Sequence, residues 1–132
     1  MREILFRGQD VDTKKWVYGG YSLYPHTRFP CKPTIYEVDE GCWHPVEVIP
    51  DTVGQYTSMK DVNGRKIFEG DIVRVECCGF VKATNGCVYF TDGIYMISHM
   101  RSALSLYAYL PYCEVIGNIH DNPELLKGGA KA

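Results

Sequence analysis

The stretch from Val53 to Glu76, VGQYTSMKDVNGRKIFEGDIVRVE, decides the fold. Within it, Asp61-Val62-Asn63-Gly64 ends in Asn-Gly, a pair that accepts the positive φ of a tight turn. Lys66-Ile67-Phe68 is a short apolar run, and Glu69-Gly70-Asp71 is a second corner. Ile72-Val73-Arg74-Val75-Glu76 then alternates. In an extended chain this places Val73 and Val75 on one face, with Ile72 and Arg74 on the other. Brief extended segments bent at glycine-bearing corners predict strands that share one interior.

Downstream the pattern continues. Phe80-Val81-Lys82-Ala83 and Cys87-Val88-Tyr89-Phe90 read as strands, and Thr91-Asp92-Gly93 turns the chain into Ile94–Ser98. Leu104, Tyr107 and Leu110 suit one side of a short helical turn that Pro111 should stop. Glu114–Ile119 reads as a closing strand. Asn122 and Pro123 mark a helix start, as cap and first helical residue, and residues 127–132 read as a frayed tail.

Upstream, Ile4–Arg7 and Trp16–Tyr21 form a predicted hairpin across a loop at Gly8–Lys15. Pro25, Pro30, Pro33 and Pro45 each remove a ladder donor. They leave Thr34–Val38 as an edge strand and Val46–Ile49 as another, ended by Pro50. The expectation is a mainly β chain: an N-terminal β region over 1–52 with a hairpin extension, and a small SH3-like barrel over 53–126 with short helical turns, together one domain spanning 1–126.

The chain has 132 residues, enough to bury a core without covalent staples. Its net charge of −2 lacks the positive excess of a dedicated nucleic-acid coat. Lys60, Arg65, Lys66, Arg74 and Lys82 share a stretch with Asp61, Glu69, Asp71 and Glu76, which reads as a solvated mixed face. The N-terminus carries no secretory pattern and no run reaches the length of a membrane span. A cytoplasmic protein is expected, so Cys31, Cys42, Cys77, Cys78, Cys87 and Cys113 are read as free, mostly buried thiols.

Three segments carry a family resemblance. They are Phe6-Arg7-Gly8 with Trp16-Val17-Tyr18-Gly19; Val53–Thr57 with Asp61, Gly64 and Ile67–Val73; and Glu114–Ile119 with Asp121–Leu126. In order and spacing they resemble the YopX-like family of phage and prophage proteins. Ser58-Met59 and His120 depart from its usual residues, and residues 22–46 match nothing in it. The resemblance implies a phage or prophage origin in a bacterial host and an SH3-type barrel in the C-terminal part. It supplies no catalytic residues.

Chemistry-bearing residues are sparse in pattern. Cys42-Trp43-His44 offers soft ligands, but no C-x-x-C is present, so no metal or cofactor is expected. Cys42, Cys87 or Cys113 would need His44, His99 or His120 brought close in space to act as a nucleophile. Glu69 and Asp71 are better explained by the turn they flank than as an acid/base pair.

Ten Tyr, five Phe and two Trp are the surplus. Trp16, Tyr18, Tyr21 and Tyr24 form one set, and Tyr107, Tyr109 and Tyr112 a second. The expected binding surface is Trp16, Tyr21, Tyr24, Arg65, Lys66, Arg74, Tyr107 and Tyr112. The expected function is a non-catalytic binding or adaptor protein that self-associates, with a host or phage protein as partner. Alternatives are a nucleic-acid binder using Lys, Arg and Tyr, and an enzyme with an unrecognised site.

Overall fold

A computed structural model describes residues 2–23, 32–76, 83–99 and 102–129. The chain is mainly β, as its punctuation predicts. It divides into two compact units, Met1–Tyr56 and Thr57–Ala132.

In the first unit, β1 (Phe6–Gln9) and β2 (Trp16–Leu23) form the expected antiparallel hairpin, with Gln9 opposite Trp16. Asp10 organises its loop by accepting the N–H groups of Asp12 and Thr13 at 2.8 and 3.3 Å. These bonds to the charged form, the Asp12 one foremost, hold the Asp10 carboxyl below its usual range.

The proline-rich region adds a second hairpin, β3 (Pro33–Asp39) and β4 (Cys42–Glu47). Glu40 and Gly41 join them at φ 49° and 80°, the left-handed pair a two-residue turn demands. Two expectations are corrected here. β3 lies between β2 and β4 and is no edge, and β4 begins at Cys42 rather than Val46. Pro33 opens a strand and Pro45 sits on the outermost one, positions where a missing N–H costs little. The hairpin signal was the two-residue Glu-Gly loop, masked by the prolines around it.

Val17, Ile35 and Val48 are the buried core of this unit, packed against Phe6, Tyr21, Val46 and Val53. A short 3-10 turn, Pro50–Thr52, leads into β5 (Gly54–Lys60). Thr52 Oγ1 accepts the Gln9 N–H at 2.9 Å, tying that turn to β1.

β5 enters the second unit at Thr57, where β6 (Lys66–Phe68) lies beside it. β7 (Asp71–Val75), β8 (Thr84–Thr91), β9 (Ile94–His99) and β10 (Ser102–Ser105) form a meander. β11 (Cys113–Asn118) returns to pair with β7, so the order is β10-β9-β8-β7-β11. Asp92 and Gly93, at φ 50° and 82°, make the β8–β9 turn where the Asp-Gly signal placed it.

Val73 and Val75 point into one cluster with Ile67, Val88, Ile97, Leu106, Cys113 and Val115, while Arg74 is exposed, as the alternation predicts. Ile72 is buried too, on the opposite face of β7. Gly86 allows β8 to pass β9 closely, since a Cβ there would collide with the Ser98 carbonyl oxygen and the Ile97 side chain.

The closed barrel is a correction. β10 and β11 lie at the two ends of the order, and among the described residues no ladder joins them. Between them, α1 (Leu106–Tyr109) and a 3-10 turn over Leu110–Tyr112 carry the chain, and α1 buries Leu106 in the core. Ser105 caps α1 by accepting the Ala108 N–H at 3.4 Å. Pro111 does not stop the helical path; it occupies the first turn of the 3-10 segment, where no N–H is needed. Near the C-terminus α2 spans Glu124–Gly129. The Asn122 side-chain oxygen accepts the Asn118 N–H at 3.3 Å, turning back toward β11. None of the helices among the described residues is long and apolar enough to cross a membrane.

Candidate functional site

Asp61 organises the neighbourhood of an open cleft among the described residues. Its Oδ1 accepts the N–H groups of Asn63 and Arg65, each at 2.9 Å, and shapes the Asn-Gly turn from within. Its Oδ2 accepts the Val115 N–H at 2.9 Å, although Val115 is 54 residues away in sequence. Val62 N–H donates to the Cys113 carbonyl at 3.2 Å, and Asn63 Nδ2 to Glu114 Oε2 at 3.0 Å. The turn is thereby bound along β11. Asp71 does a similar task at the next corner, accepting the Phe68 N–H at 2.7 Å. Asp61 and Asp71 thus both accept backbone N–H groups at corners of the chain, and for Asp71 this is the turn role expected beside Gly70.

The turn, β7 and the 3-10 segment enclose an open cleft of about 340 Å³. Val62 forms one wall and Pro111 with Tyr112 another, and Arg74, Glu76 and Glu114 bring charge. Arg74 stands opposite Glu114 in the β7–β11 register, which is why both face outward together. Arg74 Nη2 lies 2.8 Å from Glu76 Oε1. Glu76 N–H donates to the Tyr112 carbonyl at 3.0 Å, fixing the floor between them. Cys113 borders the cleft from within. Burial, with the Asp61 charge adding to it, pushes its thiol up to about 11, and its Sγ lies 3.6 Å from the Leu110 carbonyl. At neutral pH it is a protonated thiol, the wrong state for a nucleophile.

Of the eight expected surface residues, the cleft brings Arg74 and Tyr112 together. Tyr107 is 78% exposed on α1, outside its lining, while Arg65 is exposed in the turn and Lys66 half-buried on β6. In the first unit, Trp16 and Tyr21 occupy opposite faces of β2. Tyr21 packs 5.5 Å from Phe6 toward the core, whereas the Trp16 ring carries the Arg7 guanidinium at 4.6 Å. Tyr24 falls outside the described residues, as do Cys31, Cys77, Cys78, Phe80, Val81 and Lys82. Tyr109 packs against the core of the second unit. Glu76, Pro111 and Glu114 were not expected at the site. The available signal was the register itself, since a strand pairing with Arg74 would carry its partner charge to the same face.

Cys42, Cys87 and Cys113 are thiols rather than disulfide halves, and their burial is mixed: exposed, intermediate and buried respectively. Among the described residues, no three His, Cys, Asp or Glu side chains cluster as a metal site would need.

No curated protein matches the chain. Among solved structures, the crystal structure of protein EF1440 from Enterococcus faecalis superposes with a TM-score of 0.61 at 22% identity, covering 96% of this chain and 99% of that one. That likeness concerns the fold. The family model described as YopX protein matches residues 5–127, running through both units, and the chain belongs to the YopX family.

Proposed function

We propose that this chain is a non-catalytic binding or adaptor protein of phage or prophage origin, acting in the bacterial cytoplasm, self-associating, and holding a protein ligand at the Arg74–Tyr112 cleft. The observation that carries this reading is the meeting of Tyr112 and Pro111 with the Arg74–Glu76 pair in one open cleft. A ring and a proline give shape to an extended peptide, and fixed charges of both signs set its direction. The state of Cys113 supports a binding role over covalent catalysis. Two carboxylates beside one arginine also favour a peptide over a polyanion, because Glu76 and Glu114 would repel phosphates. The order β10-β9-β8-β7-β11, with a helical turn leading into the last strand, supports an SH3-like relationship for the C-terminal part.

The test is capture from host lysate on immobilised wild-type chain and on an Arg74→Ala/Tyr112→Ser double variant, each with and without nuclease. The exposed Arg74–Glu76 pair contributes at most ~1 kcal/mol, so the double variant should stay folded. Nuclease-resistant protein retained by the wild type and lost by the double variant is the expected result. Retention of nuclease-sensitive material alone would move the reading to nucleic acid. Retention indifferent to the double variant would remove the cleft.

A further inference from the structure

Among the described residues, Arg74 answers one carboxylate of its cleft and leaves another. In the β7–β11 register Arg74 stands opposite Glu114, yet its Nη2 lies 2.8 Å from Glu76 Oε1, two residues along its own chain. Glu114 is held instead by a neutral donor, Asn63 Nδ2, 3.0 Å from its Oε2. That bond fixes the side chain and leaves its charge in place. Behind the floor the sign is the same. Asp61 Oδ2 accepts the Val115 N–H at 2.9 Å, and the Cys113 thiol is raised first by burial and then by the Asp61 charge. In and behind the cleft, three carboxylates therefore stand against one guanidinium. The walls are apolar and open to solvent, with Val62 55% exposed and Tyr112 44%.

We propose that the side chain seated in this cleft is an arginine of an extended protein segment, a step that rests on the reading of the cleft as a protein-binding site. An arginine combines an apolar stem, which suits Val62 and Pro111, with a charged head, which suits Glu114. Its planar head can lie on the Tyr112 ring and also fork onto a carboxylate, whereas the lysine ammonium is a compact, strongly hydrated point charge. A purely apolar side chain would take water from Glu114 and give it no partner, which is costly. An acidic one would meet an excess of its own sign. The cleft volume of about 340 Å³ lies near the lower end of small-ligand pockets, a size for one side chain with its flanking backbone.

Amide NMR titration of the full chain tests this with four capped pentapeptides: Ac-Ala-Pro-Arg-Pro-Ala-NH2 and its counterparts with lysine, norleucine or glutamate at the centre. The arginine peptide should shift the N–H signals of Val62, Tyr112 and Glu114 with a Kd of roughly 1 mM, a value in keeping with one anchored side chain. Lysine should bind less tightly, norleucine ~10-fold more weakly or worse, and glutamate should leave these signals in place. Glu114→Gln keeps an acceptor for Asn63, so it should stay folded. It should weaken the arginine peptide ~10-fold and leave the norleucine peptide unchanged. Added salt should weaken the arginine peptide in the same selective way. Equal binding of the arginine and norleucine peptides at these signals would overturn the arginine and leave a protein-binding cleft standing. Arginine-peptide shifts confined to other residues, or none up to ~10 mM, would overturn it too. Capture from lysate on the Arg74→Ala/Tyr112→Ser variant then judges the cleft itself separately.

Discussion

Among the described residues, eight buried side chains form one cluster in the second unit, whereas the buried cluster of the first contains three. The polar groups differ in the same direction. In the second unit, Asp61 and Asp71 are buried carboxylates that accept backbone N–H groups at corners of the chain. The first unit relies on a hydroxyl, Thr52, and on Arg7 stacked against Trp16. Its large apolar residues are partly spent outside, where Tyr18, Val38 and Trp43 face solvent. The contrast teaches that a sheet can be well paired in register and still be thinly anchored, because ladders set geometry while buried area sets most of the stability. Opening free energy should therefore be lower in β2–β4 than in β7–β11.

The largest effects come from emptying each core in turn. Leu106→Ala removes a fully buried side chain from the larger cluster and should cost about 2–5 kcal/mol. Ile35→Ala makes a comparable cavity in the cluster of three. With fewer neighbours to hold the rest in place, it should raise hydrogen exchange through β2–β4 while β7, β8 and β11 stay protected. Amide exchange followed by NMR reads both variants. The comparison breaks if Ile35→Ala loosens β7–β11 as much as its own sheet.

Next in size is the buried carboxylate. Asp61→Ala leaves the Val115 N–H without its acceptor inside the structure, while the Asn63 and Arg65 N–H groups can turn to water. Loss of a charged acceptor from one buried donor costs about 2–3 kcal/mol. Urea unfolding should show this as a lower midpoint at an unchanged slope. Asp61→Asn should recover part of it, since its amide keeps one acceptor oxygen and loses the charge. An Asp61→Ala variant as stable as wild type would show that the turn is held by its glycine alone.

Much of the second unit was legible because its signals are local. Asn63-Gly64 and Asp92-Gly93 announce turns within two residues, and Ile72–Glu76 shows its inward face by alternation. β3 and β4 were harder. Pro33 and Pro45 argue against interior strands, yet they sit at a strand start and on an edge, and only the partner strand reveals that. Ser102–Ser105 carries little strand preference, and its pairing with β9 decides it. Open order against closed barrel depends on whether two distant strands meet, which no local window contains. The cleft was half legible for the same reason. Arg74 and Tyr112 stand out as residues, but their shared cleft depends on Asp61 drawing the turn toward β11.

The smallest effect concerns Cys113 and sharpens the comparison chemically. Its thiol titrates near 11 in the folded chain against an ordinary value of 9.0, so the native state keeps a proton that the unfolded chain gives up first. The sign follows. The stabilisation is complete below pH 9, is lost as pH rises from about 9 to about 11, and is absent once both states are ionised. One unit above 9.0 the loss is about 1.4 kcal/mol. Other groups titrate there too, so the quantity to measure is the difference between wild type and Cys113→Ala. That difference should shrink from pH 8 to pH 10. The exposed Cys42 should meanwhile alkylate freely in the native protein, whereas Cys113 should wait for unfolding. Equal alkylation rates would mean that Cys113 is reached without unfolding, and that the core of the second unit opens readily around it.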